Sequence, residues 1–306
     1  MPDQEKFDGG VIYFGLLITV IFPLISGTVP IIGYLVEFMA CFFLVLFTVR
    51  RMWIFALIGG VGSLAFMLGL FGFHAFLAAA WAKTVLPAAL FGALLSEGIR
   101  VRHAFTVAVI AAALGALAVF LSERELIFQA FDRAQEWFRS GSAAAGQNEE
   151  RLNEIMAQLI TFMKRTMPSL LALSAVFQLF VGWLGVIVYM KAIGHFMPSM
   201  QSFYYWKMPD YFIYGIGILF LARLAGTDII RIIADNLILF VGVFYAVCGF
   251  AFFEYYLKKL RLSLFLRILF YIGIILLQIP GLIFAALVGI FDSYFDFRKV
   301  RAKIIG

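Results

Sequence analysis

FFLVLFTVRRMWIFALIGGVG, residues 42–62, joins two apolar runs through a pair of adjacent arginines. In a soluble core, Arg50 and Arg51 would cut the apolar surface of both segments. Between two membrane spans the same pair sits among headgroups, where Lys and Arg are favoured on the cytoplasmic side. Working outward from this stretch, apolar runs recur at 10–26, 29–49, 53–72, 76–96, 103–121, 168–190, 210–224, 232–257 and 264–290. About 20 apolar residues of helix cover the roughly 30 Å hydrocarbon core, so most of these runs have span length.

Composition agrees. Of 306 residues, 64% are hydrophobic and only 14% charged, against about 25% charged in a soluble domain. The expected fold is an all-α, polytopic transmembrane helical bundle of about 8–9 spans. The roughly ten-residue alternating segments of a membrane β-barrel are missing. No basic stripe interleaved with stacking aromatics suggests nucleic acid. Cys41 and Cys248 lie singly inside apolar runs, so no metal, disulfide or cofactor is expected from them. The N-terminal MPDQEKFDGG lacks a basic n-region, and the first span is expected to be retained.

With the N-terminus inside, the cytoplasmic junctions carry Arg50, Arg51, Arg100, Arg102, Lys191, Lys207, Lys258, Lys259 and Arg261. The short loops near 27 and 73 carry no Lys or Arg, which fits the positive-inside rule. Nine spans would nevertheless put Arg298, Lys299, Arg301 and Lys303 outside. Eight crossings with both ends inside remove that conflict. The short seventh segment, or the last one at Pro280–Gly281, is then the segment that does not cross.

Residues 122–167 differ in kind, with six Lys/Arg and seven Asp/Glu. Leu126, Ile127, Ala130, Phe131, Ala134, Trp137 and Phe138 repeat at helical spacing, SGSAAAG at 140–146 interrupts them, and Leu152, Ile155, Met156, Leu159 and Ile160 resume. The pattern predicts an amphipathic helical hairpin outside the membrane. It divides the chain into a five-span bundle (1–121), the hairpin (122–167), and a C-terminal three- to four-span half with a basic tail (168–306).

Two motifs mark the C-terminal half, WKMPD at 206–210 and GIFDSYFDFRK at 289–299; Arg51 and PAALFG at 87–92 are weaker marks in the first half. On these residues the chain resembles the YybS-like bacterial membrane proteins, themselves similar to substrate-binding S components of energy-coupling factor vitamin transporters. The resemblance implies family-motif roles for Arg51, Pro87, Gly92, Trp206, Pro209, Asp210, Asp292, Asp296 and Arg298. It also implies a bacterial inner membrane, capture of a small molecule from the outer face, and an energising partner subunit. S components dock on that partner through an AxxxA face in the first span. Here the first span reads GVIYFGLLITVIFPL, without AxxxA.

Within the junction, Tyr204, Tyr205 and Trp206 read as an interfacial belt with Lys207 at the headgroups. Pro209 is expected at the first helical position and Asp210 in the first turn. Ionisable residues inside spans are the candidates for chemistry, since a mid-bilayer charge costs about 2.5–3.5 kcal/mol on insertion scales. Glu37 and Lys83 fall at similar depth in spans two and four. They are expected to pair or to flank a polar cavity, and an ion pair holding two helices in register is the plainer reading. Gln178 is a third ligand-binding candidate. Asp235, Asn236 and Glu254 lie near span ends, Arg267 is close enough to the surface to snorkel, and Gln278 precedes Pro280. HExxH, GxSxG and P-loop patterns are missing. His74, His103 and His195 fall at span ends, so no catalytic residue is expected. The sequence thus suggests a protein that binds or transports a small molecule, with a membrane scaffold or assembly factor as the alternative.

Overall fold

The most buried span, α2 (Pro30–Val49), forms the centre of the first half of the molecule. Ala40, Leu44, Val45, Leu46 and Phe47 have no exposure at all. α1 (Gly9–Thr28), α4 (Ala75–Ser96) and α6 (Glu149–Ala192) pack about it, while Tyr34 and Leu35 near its start stay exposed. The computed structural model describes residues 9–28, 30–72, 75–142, 149–195 and 202–299. His74, most of SGSAAAG, and the tail from residue 300 lie outside the described residues. The chain divides into two compact units, Met1–Ser199 and Met200–Gly306. The described residues are helical with no strand, and seven helices are long and apolar enough to cross a membrane.

Besides α1, α2, α4 and α6, the first unit contains α3 (Trp53–Phe71) and α5 (Val101–Ser142). Small residues let α5 lie close on α4. Ala104, Ala108, Ala112 and Ala116 are fully buried, and a Cβ on Gly115 would come within 2.7 Å of Lys83 Cα. Gly92 gives α4 the same freedom beside Thr48 and Val45 of α2. The stripe of small residues therefore positions the one lysine inside α4.

The charged region 122–167 is helical throughout its described residues, and it is built from the extensions of α5 and α6. α5 has 42 residues and α6 has 44, about 63 and 66 Å at 1.5 Å per residue. Both are about twice as long as a hydrocarbon core of about 30 Å requires. α5 kinks at Glu123 (φ −126°, ψ 17°), the position where its apolar run gives way to charge. Lys164 Nζ meets Asp132 Oδ1 at 2.5 Å and lies over the Phe128 ring, which ties the two extensions together.

The second unit opens with a 3₁₀ turn, Phe203–Tyr205, followed by α7 (Phe212–Ala225), α8 (Asp228–Lys259), α9 (Leu264–Leu276) and α10 (Gln278–Phe295). The expected single span at 264–290 is two helices. The break comes at Leu277–Gln278, where Gln278 takes φ 51°. With 13 residues, α9 spans about 20 Å and falls short of the hydrocarbon core. Tyr256 Oη donates to the Phe297 carbonyl (3.4 Å), and Arg298 donates to the Tyr204 and Trp206 carbonyls. Lys258 rests 4.5 Å over the Tyr204 ring. The 203–207 stretch and the ends of α8 and α10 thus share one end of the unit. α9 leaves from that end and α10 returns to it, so the two helices fold back as a hairpin within the unit. Arg298 and Lys299 therefore stand with Lys207, Lys258 and Lys259 rather than opposite them, and the charge conflict disappears.

Replacing Gly115 with Val forces α5 away from Lys83 and should destabilise the protein by about 1–3 kcal/mol. Gly217→Ala has open space around it and should leave the thermal midpoint in detergent unchanged. Equal midpoints for the two variants would contradict the close α4–α5 approach.

Candidate functional site

In the first unit the three polar residues singled out inside spans meet in one place. Lys83 Nζ on α4 donates to Glu37 Oε2 on α2 at 3.2 Å. Exposure is 5% for Glu37 and 8% for Lys83. The ammonium also lies 5.9 Å from the centroid of the Tyr34 ring, where the ring's negative face adds to its stabilisation. Gln178 on α6, 5% exposed, donates from Nε2 to Thr84 Oγ1 at 3.5 Å, next in sequence to Lys83. Three helices therefore contribute two buried polar contacts, Glu37–Lys83 and Gln178–Thr84, which adjoin through neighbouring residues of α4. Pro87 adds to them. It lacks an N–H, so the Lys83 carbonyl, four residues earlier, loses its helical donor. Arg51 lies apart, binding the Ser96 carbonyl (2.7 Å) and Glu97 (3.5 Å) at the end of α4.

The second unit brings together the two C-terminal motifs, which lie almost ninety residues apart in sequence. Arg298, 2% exposed, donates from Nε (3.0 Å) and Nη2 (2.7 Å) to Asp292 Oδ2. Its Nη1 reaches the Tyr204 carbonyl at 2.7 Å and its Nη2 the Trp206 carbonyl at 2.8 Å. Lys207 Nζ binds Asp296 Oδ1 at 2.8 Å and approaches Asp210 at 3.9 Å. Lys207 thus points inward, away from the headgroups expected for it, because Asp296 offers a charged partner in a left-handed turn (φ 51°, ψ 46°) that ends α10. Pro209 and Asp210 also precede the helix. α7 begins at Phe212, and the Phe212 and Ile213 amides bond back to the Pro209 and Asp210 carbonyls. A proline three residues before the helix fixes the entering turn instead of filling the first helical position. Asp292 Oδ1 and the Tyr245 hydroxyl are buried without a hydrogen-bond partner among the described residues.

A family model described as "Predicted membrane protein (DUF2232)" matches residues 17–293. The chain belongs to the DUF2232 family. No curated protein and no solved structure matches it. The DUF2232 match takes in Glu37, Lys83, Thr84, Gln178, the WKMPD junction and Asp292. Asp296 and Arg298, which complete the second network, lie just past its end.

Elsewhere, Arg267 does not snorkel outward. It binds Glu254 Oε1 at 2.7 Å, while the Tyr271 hydroxyl reaches Oε2 at 3.0 Å, so Glu254 holds α9 to α8. Asp235 pairs with Arg223 at 2.6 Å across α7 and α8, and Asn236 bonds the Ile232 carbonyl of its own helix. Gln278 makes no side-chain hydrogen bond among the described residues and serves instead as the left-handed hinge. Arg50 faces His195 (3.5 Å), and Arg102 faces His103 (3.4 Å). No group of three or more metal-ligating side chains occurs among the described residues. Sequence reasoning missed Thr84 and the carbonyls of Tyr204 and Trp206. Thr84 could have been found from its adjacency to Lys83, whereas a backbone acceptor leaves no mark in sequence.

Removing one member of a buried ion pair leaves the other uncompensated, at a cost of about 3–5 kcal/mol. Asp292→Asn and Arg298→Gln should each lower the thermal midpoint strongly. The double variant should be markedly less destabilised than the sum of the two, as a double-mutant cycle would read. Strict additivity would contradict direct coupling.

Proposed function

We propose that the chain binds a small polar molecule inside its N-terminal unit, at the cluster of Glu37, Lys83, Thr84 and Gln178. The supporting observation is the convergence of these groups from α2, α4 and α6 at low exposure. Ionisable side chains inside spans are expensive and tend to mark solute or ion pathways. Glu37 offers an acceptor, Lys83 a donor with formal charge, and Thr84 and Gln178 neutral groups of both kinds. With the Lys83 carbonyl released by Pro87, the cluster can meet a ligand that carries both donors and acceptors.

The resemblance to S components supports the same reading: a bacterial inner-membrane protein with a cytoplasmic N-terminus that captures a vitamin-like molecule, energised by a separate subunit. Nothing in it requires catalysis by this chain, and we assign no catalytic residue. A second reading is a membrane scaffold. It draws on the long α5 and α6 extensions, whose Trp137 is 78% exposed.

Native mass spectrometry of the gently purified protein, set beside the double variant E37Q/K83Q, tests the proposal. The double variant keeps the site neutral and should fold. The expected result is a retained small molecule with the wild type and none with the folded double variant. Retention of the same molecule by both would place its site elsewhere. Absence from the wild type under several detergents would favour the scaffold.

A further inference from the structure

We propose that the end of the C-terminal unit where α8 and α10 finish is a binding surface for anionic phospholipid headgroups. The Tyr256–Phe297 hydrogen bond sets the turn after α8 beside the turn after α10. Lys258, Lys259, Arg261 and Lys299 are all exposed on these two turns. The carboxylates nearby are mostly engaged within the unit. Asp292 is committed to Arg298, Asp296 to Lys207, and Glu254 to Arg267, Tyr271 and, at 3.4 Å, Lys258, while the half-exposed Asp210 approaches Lys207 at 3.9 Å. Lys259, Arg261 and Lys299 pair with no carboxylate among the described residues, so this end presents an excess of free cations.

Backbone geometry supplies a second, independent observation. Arg261 and Lys299 take φ 54° and 51°, a left-handed conformation that suits Gly or Asn and costs other residues roughly 1–2 kcal/mol. Long cations stand at both positions. Their amides close the turns, Arg261 N–H donating to the Lys258 carbonyl and Lys299 N–H to the Asp296 carbonyl. Neither side chain pairs with a carboxylate among the described residues, which leaves both cations available to a surface of negative charge. Beneath the cations, Tyr204, Tyr205, Tyr255 and Tyr256 form a shelf of amphipathic rings, which favour the depth of the lipid glycerol region. Lysine and arginine next to an anionic leaflet strengthen attachment to it. Lys259, Arg261 and Lys299, none of them paired with a carboxylate among the described residues, favour a headgroup bearing net negative charge over a zwitterionic one.

The full chain in neutral detergent, titrated separately with phosphatidylglycerol, phosphatidylcholine and inorganic phosphate, provides the test. Lipid retained in native mass spectra and the thermal midpoint are the readouts. Phosphatidylglycerol should be retained roughly tenfold better than phosphatidylcholine and should raise the midpoint, with the advantage shrinking as salt is added. The variant K258Q/K259Q/R261N/K299N should lose that preference. The smaller variant R261N/K299N, whose asparagines suit the left-handed turns, leaves α8 untouched and should lose part of it. Equal retention of the two lipids, an equal midpoint shift from inorganic phosphate alone, or wild-type preference in R261N/K299N would overturn the proposal.

Discussion

Arg298 carries a guanidinium into a position that is only 2% exposed. Transfer of such a charge from water costs several kcal/mol, unless its donors find acceptors of good geometry. Here Asp292 takes two of its hydrogen bonds, and the carbonyls of Tyr204 and Trp206 take two more. The rest of the C-terminal unit follows from that requirement. The end of α10 must lie against the junction that precedes α7, at the same end as Lys258 and Lys259. The chain therefore turns back at Leu277–Gln278 instead of running on as one helix. Gly281 and Pro280 suit that turn, one because it lets the backbone of α10 approach Ile274 of α9, the other because no N–H is left unsatisfied in the first turn of α10. Further along, Gly249 and Gly289 let α8 and α10 meet backbone to backbone.

The N-terminal unit is organised by a related constraint with fewer hydrogen bonds. Among the described residues, Glu37 and Lys83 are the only carboxylate and ammonium buried together there, one on the central helix and one on α4. α4 can offer Lys83 to α2 because α5 packs on it through Ala and Gly rather than through large side chains. A buried ion pair of this kind is weak support for stability, since apolar residues of the same volume would often do as well. Its retention beside Thr84, Gln178 and the carbonyl released by Pro87 is what makes it a candidate for function rather than a strut.

Much of this was legible in the sequence, and the physical reasons for success and failure differ by residue. Span-length apolar runs interrupted by Arg50–Arg51 and Lys258–Lys259 disclose the class of fold, because hydrocarbon punishes any other arrangement. Glu37 and Lys83 stood out for the same reason, and counting residues from the span ends placed them at one depth. The WKMPD and GIFDSYFDFRK motifs drew attention as motifs, yet their meeting was invisible, because Arg298 is bound by carbonyls that any residue could supply. Lys207 was misplaced at the headgroups since its true partner, Asp296, is 89 residues away. The charged hairpin is legible because hydropathy falls sharply near residue 122, and α5 kinks at Glu123 beside that fall. By contrast, the hydropathy of 264–290 does not fall at the hinge, where a left-handed Gln278 interrupts an otherwise apolar run.

The most direct measurement is the sidedness of two engineered cysteines, Lys259→Cys and Lys299→Cys, each in a C41A/C248A background. Labelling of intact, right-side-out cells with a membrane-impermeant maleimide, compared with labelling of inverted vesicles, reads which face each thiol occupies. With Arg298 fixing α10 to the junction, both thiols must label from the same side. Labelling from opposite sides would mean that residues 264–295 cross the membrane, and the hairpin together with the Arg298 network that requires it would be wrong.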